Sequence, residues 1–255
     1  MRELADRLWR ARLEARGCEP PTRSHPRLDI SDAYRISRLN FQRRLERGAK
    51  LVGRKIGLTS EAVQRQIGVD QPDFGYLTSD MSLENGEALG AGELIQAKVE
   101  GEAVFVLGRE LKGPGVDRED VMRAADHIRA CIEVIDSRVK DWRIKIQDTI
   151  ADNASSAYFA LGAERIKPGS VDLRRCRMKL WKNGSLASEG SGSACLGDPA
   201  RAVAWLANAL AVWGEGLKPG DIVLSGAFGP VVPFSRGDEC RVEIEGLGRV
   251  DWRYV

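Results

Sequence analysis

Hydrophobic and polar positions recur along this chain with two different periods, and the change of period marks a change of structure. In residues 1–17, Leu4, Leu8, Trp9, Ala11 and Leu13 recur at helical spacing among charges, which predicts an amphipathic helix stopped at Gly17. Glu19-Pro20-Pro21-Thr22 through Pro26 reads as a connector. Asp29 or Ser31 can cap a second helix, over about 32–48, with Tyr34, Ile36, Leu39, Phe41 and Leu45 as its apolar stripe. Beyond Lys50 the pattern turns strand-like. Leu51-Val52-Gly53-Arg54-Lys55-Ile56-Gly57-Leu58 reads as a strand with Lys55 inside it. Thr59 or Ser60 caps a short helix over 61–67, ended by Gly68, and residues 69–77, punctuated by Pro72 and Gly75, read as a loop.

The apolar run Val99-Glu100-Gly101-Glu102-Ala103-Val104-Phe105-Val106-Leu107 predicts a strand buried on at least one side. Gly113-Pro114-Gly115 breaks the chain, and Val121, Ala124, Ala125 and Ile128 predict a helix over 118–130. Cys131-Ile132-Glu133-Val134-Ile135 is a further apolar strand. Residues 148–157 are dense in small and polar side chains. A strand over 177–181 meets the hairpin signal Asn183-Gly184, and Gly190-Ser191-Gly192-Ser193 reads as a flexible loop. Asp198-Pro199 opens a helix carrying Val203, Leu206, Ala207 and Leu210, with Gly214 at its end. Residues 222–230 run from a buried strand into a Gly-rich loop, and 241–254 read as a closing hairpin. No repeat or long linker divides the chain. The expected architecture is α+β: a helical N-terminal portion, 1–50, packed on a β-rich core, 51–255, as one structural unit.

Composition narrows the function classes. With 255 residues the chain can bury a substantial core. Its 39 basic residues against 37 acidic ones give no electrostatic reason for nucleic acid or an anionic membrane as partner. No apolar run approaches a membrane span, and charges throughout 1–16 exclude a secretory signal there. The five cysteines are odd in number, scattered and without C-x-x-C spacing, which argues against a disulfide framework or a zinc site and suits a reducing cytoplasm. Only His25 and His127 are present; one lies in a Pro-flanked loop and the other in a helical pattern, so both are expected at the surface.

The candidate chemistry lies in acids placed inside apolar strands. Glu100 and Glu102 are two apart, so both carboxylates leave one face of their strand. Two such carboxylates in a partly buried place repel each other and lose hydration, and a hard divalent ion between them relieves both costs. The plainer alternative is a solvated strand edge, or one protonated member. Glu133, flanked by Ile132 and Val134, is a third carboxylate in an unlikely place for an unpaired charge, and three glutamates on two strands make an oxygen-ligand site. Asp136 is followed by Arg138, and reads as its ion-pair partner. The acids around Asp73, near a lysine in sequence, fit a solvated turn or a proton shuttle.

Several stretches together resemble the 2-keto-4-pentenoate (2-hydroxypenta-2,4-dienoate) hydratases, within the fumarylacetoacetase-like superfamily. They are Val52-Gly53-Arg54-Lys55-Ile56-Gly57-Leu58-Thr59-Ser60, Gly68-Val69-Asp70-Gln71-Pro72-Asp73-Phe74-Gly75 and Val99-Glu100-Gly101-Glu102, followed by Ile132-Glu133-Val134-Ile135-Asp136-Ser137-Arg138, Ala151-Asp152-Asn153-Ala154-Ser155-Ser156, Gly197-Asp198-Pro199 and Ser225-Gly226-Ala227-Phe228-Gly229-Pro230. The resemblance covers roughly residues 30–255. It implies a fumarylacetoacetase C-terminal-domain-like fold, a rolled mixed β-sheet with helices around it. It implies Mg²⁺ or Mn²⁺ held by Glu100, Glu102 and Glu133, proton transfer involving Lys55 and Asp73, and substrate binding by Ser155 and by the Ser225-Gly226 loop. It implies hydration of a small 2-oxo/2-hydroxydienoate in aromatic meta-cleavage catabolism by a homo-oligomer able to associate with neighbouring pathway enzymes. 4-Oxalocrotonate decarboxylase shares the metal motif and is the alternative; Asp141-Trp142-Arg143-Ile144 is more similar to the hydratase branch.

Overall fold

The computed structural model describes residues 1–61, 64–65, 69–90 and 92–255. Its strands are β1 (Leu51–Gly57), β2 (Asp73–Thr78), β3 (Ser82–Leu83), β4 (Ala88–Leu89), β5 (Lys98–Leu107), β6 (Ala125–Ile135), β7 (Ser156–Leu161), β8 (Arg177–Lys182), β9 (Ser185–Ser191), β10 (Ile222–Ala227), β11 (Val232–Pro233), β12 (Glu239–Ile244) and β13 (Gly248–Tyr254). They form two sheets. The larger runs β2-β1-β10-β5-β6-β7-β3, with β11 paired to β5, and the smaller runs β4-β13-β12-β8-β9. The larger sheet is mixed: β1 lies parallel to β10 and β3 to β7, while the other neighbours are antiparallel.

Strand alternation gives the larger sheet two different faces. One carries Val99, Ala103, Phe105, Ile128, Ile132 and Val134 into the main core, with Met178, Leu180, Val242 and Trp252 of the smaller sheet and Val203, Leu206 and Leu210 of the helix Pro199–Ala211. The other face gathers Leu77, Leu224, Val104, Cys131 and Phe159, from five different strands, with Met81, into one cluster. Side chains from β2 and β7, far apart in strand order, meet there only because the sheet rolls up. Its inner face is therefore apolar at one end. At the other end β1, β2, β5 and β6 carry Lys55, Asp73, Glu100, Glu102 and Glu133, all at most 7% exposed.

The helices Arg2–Leu13 and Ile30–Glu46 build a separate apolar cluster, Leu4, Leu8, Ala33 and Ile36 packing with Val139, Ile146 and Ile150. Asp29, one of the two expected caps, accepts a hydrogen bond from the Asp32 amide at 2.7 Å. Asp198 caps its helix through the Ala200 amide, and the Asn183-Gly184 turn joins β8 to β9.

Four expectations are corrected. The helix expected over 118–130 stops at Ala124, and Ala125–Ile135 is strand. Pairing with β5 from Ala125 to Ile135 satisfies more backbone than further helical turns would, and the Ala124 carbonyl accepts the Gly108 and Arg109 amides. His127 is consequently a strand residue, 8% exposed, with Nδ1 2.8 Å from Asp126, not a surface histidine on a helix. Of the loop expected over 69–77, Asp73–Thr78 is a fully buried strand paired with β1. Gly190-Ser191 ends β9 rather than opening a flexible loop, because Gly190 has no Cβ to collide with the Phe228 carbonyl that packs against it. The short helix expected over 61–67 falls largely outside the described residues.

Candidate active site

Pairing register assembles the acids. In the β5–β6 ladder Glu100 stands directly opposite Glu133, and Glu102 opposite Cys131. Glu100, Glu102 and Glu133 each offer a carboxylate oxygen, all within 4.8 Å of one another. Two strands away, Gly57 of β1 pairs with Asp73 of β2, and Lys55 with Gly75. A Cβ on Gly57 would collide with the Asp73 carboxylate and lie 3.3 Å from Lys55 Nζ. That glycine is what lets acid and amine share one spot. Lys55 Nζ lies 3.3 Å from Glu133 Oε2 and donates a 3.2 Å hydrogen bond to the Ala154 carbonyl.

The five groups are four carboxylates and one ammonium, so the fully ionised cluster is strongly negative in a buried place. Burial, then the neighbouring Glu133, pushes Glu100 above the usual carboxylate range, and burial with both other glutamates does the same to Glu102. Burial raises Asp73 to about 6, against the pull of Lys55. For Lys55 burial acts downward, but the combined field of Glu133, Glu100, Asp73 and Glu102 outweighs it and holds the ammonium above its ordinary value. Both oxygens of Asp73, Oε1 of Glu133 and Oε1 of Glu102 are buried without a hydrogen-bond partner among the described residues, and Glu133 Oε2 is paired with the Lys55 ammonium. Orphaned carboxylate oxygens around one point fit a hard divalent cation, and the donor set suits Mg²⁺ or Mn²⁺. Burial, then the nearby Glu102 and Glu133, raises the Cys131 thiol, which packs in the apolar cluster with Leu77, Val104 and Leu224.

The remaining expected residues fall around this cluster. Gly226, at φ 105°, donates its amide to Glu102 Oε2 at 2.8 Å, leaving Oε1 free to ligate. Ser225 is fully buried in β10; its carbonyl accepts the Cys195 thiol and its hydroxyl is without a partner among the described residues. Ser155 is buried, with its hydroxyl 3.3 Å from Thr149 Oγ1 and its carbonyl accepting the Asp136 amide. The structure corrects the Asp136–Arg138 ion pair: Asp136 accepts the Ile95 and Gln96 amides, while Arg138 pairs with Asp152. These partners stand 41, 40 and 14 residues away, where adjacency in sequence says nothing.

The sequence leaves residues 148–157 open as turns or as hydroxyls and amides for a carboxylate, and does not show that a left-handed turn there stands beside Lys55. Asn153, Ala154 and Ser155 all have positive φ, 60°, 51° and 53°. Three successive non-glycine residues in that region are uncommon and mark a constrained site. Asn153 anchors the turn by bonding both the amide and the carbonyl of Tyr76, and Arg138 spans Asp152 and the Asp136, Asp152 and Ser156 carbonyls. The result aims the Ala154 carbonyl at Lys55. The available signal was Asn153, a residue that tolerates the left-handed conformation.

The profile of the family described as Fumarylacetoacetate (FAA) hydrolase C-terminal matches residues 55–254. A 2-hydroxyhexa-2,4-dienoate hydratase from Comamonas testosteroni is 47% identical over 244 residues, 95% of this chain and 92% of that one. A 2-hydroxypent-2,4-dienoate hydratase from Pseudomonas putida is 48% identical over 213 residues, 83% of this chain and 96% of its own length. Among solved structures, 4-oxalocrotonate decarboxylase from Pseudomonas putida G7, complexed with magnesium and adipate, superposes with a TM-score of 0.95 at 36% identity, covering 100% of this chain and 98% of that one.

Proposed function

This chain belongs to the fumarylacetoacetate hydrolase family, and within it we propose a metal-dependent hydratase that adds water to 2-hydroxypenta-2,4-dienoate to give 4-hydroxy-2-oxopentanoate. The observation that carries the reading is the buried trio Glu100, Glu102 and Glu133 with orphaned oxygens, one lysine and one further acid beside it. Hydratases of such dienoates are its relatives at 47–48% identity.

Glu100, Glu102 and Glu133 would hold Mg²⁺ or Mn²⁺, which when bound supplies a Lewis acid that stabilises negative charge developing on the 2-oxygen of the substrate. Gly226 keeps Glu102 oriented through its amide. Lys55, held between Glu133 and the Ala154 carbonyl, is placed to hand a proton to the dienoate carbon chain or take one from it. Its ammonium is the favoured form while the acids around it are unneutralised, and a positive charge among them would weaken that preference. Asp73, with both oxygens free and its carboxyl near 6, is suited to orient the water that adds at C4 and accept its proton. Ser155 and the Ser225-Gly226 segment are proposed to bind the substrate's acid end. The proposal carries with it a homo-oligomer, to be checked by light scattering, in a cytoplasmic meta-cleavage route where it can contact neighbouring enzymes.

The second reading, decarboxylation of 4-oxalocrotonate, is favoured by the 36% identical neighbour of the same fold. One assay separates the two. The purified chain is given 2-hydroxypenta-2,4-dienoate, its six-carbon homologue and 4-oxalocrotonate, and dienoate absorbance and carbon dioxide are followed. Loss of dienoate absorbance with formation of the 4-hydroxy-2-oxo acid supports the hydratase. Carbon dioxide release from the dicarboxylate, with no hydration, supports the decarboxylase.

A further inference from the structure

Away from the acids, on the far side of the Asn153–Ser155 turn, a small cleft of about 40 Å³ separates the N-terminal helices from the core. Three guanidinium groups line it: Arg12 and Arg44 from the two long N-terminal helices, and Arg138 after β6. Two hydroxyls line it as well, Ser37 and Ser156, each 1% exposed and without a hydrogen-bond partner among the described residues. Unsatisfied buried hydroxyls facing a polar space call for a partner in that space.

The charges there do not balance. Asp152 is bound by the side chain and the amide of Arg138. Asp80, itself 41% exposed at its side chain, serves both Arg44 and, at 3.8 Å, Arg12. Three cations therefore share two carboxylates. Burial, the charge of Arg12 and that of Arg138 lower Arg44 to about 10, and burial likewise lowers Arg12. A single negative ion in the cleft would offset the excess charge and could accept from an unsatisfied serine hydroxyl. The space admits a monatomic anion.

The geometry points to a part-buried site for one small monovalent anion of the halide class, lined by Arg12, Arg44, Ser37 and Ser156, with Arg138 adding charge while its own donors serve Asp152 and the neighbouring carbonyls. It joins the N-terminal helices to the segment that presents the Ala154 carbonyl to Lys55. The site does not depend on the reaction proposed above, because it contains none of the groups assigned to that reaction.

Two measurements on the full-length protein test it together. Crystals grown in sodium bromide are examined by anomalous scattering, and thermal unfolding is followed in bromide, chloride and gluconate at one ionic strength. The expected results are an anomalous peak in the cleft and a saturating rise in midpoint of about 3 °C with the halides over gluconate. Ser156→Ala keeps the fold and reduces that halide-specific rise, and Arg44→Met abolishes it. Water alone in the cleft overturns the inference. So does a bromide peak without any halide-specific rise, which marks an adventitious ion, or a rise unchanged in Ser156→Ala.

Discussion

Replacing Glu102 by Gln should stabilise the metal-free protein while disabling its metal site. The carboxylates of Glu100, Glu102 and Glu133 offer oxygens within 4.8 Å of one another. At that distance and an effective dielectric constant near 20, each charged pair repels by about 3.5 kcal/mol. Glu102→Gln ends two such repulsions, loses the weakest of the four acids' attractions to Lys55, and keeps an oxygen for the Gly226 amide. Partial protonation of the trio reduces the difference further, so the net gain is about 1–3 kcal/mol, or roughly 3–9 °C in midpoint for a chain of this length. The pH dependence follows from the direction of the shift. A carboxyl raised above its ordinary value of 4.5 stabilises the fold below that pH and loses the contribution as pH rises through the folded value. The variant's advantage should therefore be absent at pH 4.5 and grow toward pH 8. Scanning fluorimetry of EDTA-treated protein across this range, with and without Mg²⁺, reads both effects. In wild type Mg²⁺ should raise the midpoint, most at high pH; in Glu102→Gln the titration should shift by more than about 100-fold, beyond the loss of an outer-shell partner. A variant less stable than wild type at pH 8, yet still fully responsive to Mg²⁺, would refute the reasoning.

Three further outcomes are expected. Asp73→Asn should leave Mg²⁺ binding near wild type, lower turnover about 10²–10⁴-fold, and remove a rise in activity through pH 6, the region where the buried acid ionises; a pH–rate profile of both proteins checks this. Gly226→Ala, at φ 105° and with its new Cβ driven into Thr59, should cost about 1–3 kcal/mol and weaken Mg²⁺ binding by moving the amide off Glu102, as read by urea unfolding and Mg²⁺ titration. Arg138→Met should lose about 3–5 kcal/mol in urea unfolding, because it leaves Asp152 charged and buried.

The site's acids were legible because strand alternation is strict: Glu100 and Glu102 must share a face, and Glu133 inside an apolar run must be paired with something. What brings them together was not, since the β5–β6 register that sets Glu100 against Glu133 is a non-local choice. The overextended helix shows how one segment can carry two periods. Val121, Ala124, Ala125 and Ile128 fit a helix, and Ile128, Ala130, Ile132 and Val134 fit a strand buried on that face; pairing with β5 decides between them. Asp73 looked like part of a turn because Pro72 and Gly75 flank it. Pro72 precedes the strand, where no ladder bond is lost, and Gly75 is required by the Asn153 backbone, 2.5 Å from where a Cβ would stand. Arg138 was paired with the wrong acid because its true partner, Asp152, arrives at the end of the helix Ile146–Ala151, just ahead of the left-handed turn, a placement no local pattern encodes.

The central claim is that three glutamates on neighbouring strands hold one divalent cation on which turnover depends. Its most direct test is a titration of EDTA-stripped protein with Mn²⁺, following bound ion by electron paramagnetic resonance and dienoate turnover in the same samples. Activity should be absent at the start and return in proportion to a single bound ion per chain. Full turnover before any Mn²⁺ is added, or binding that leaves activity unchanged, would contradict it.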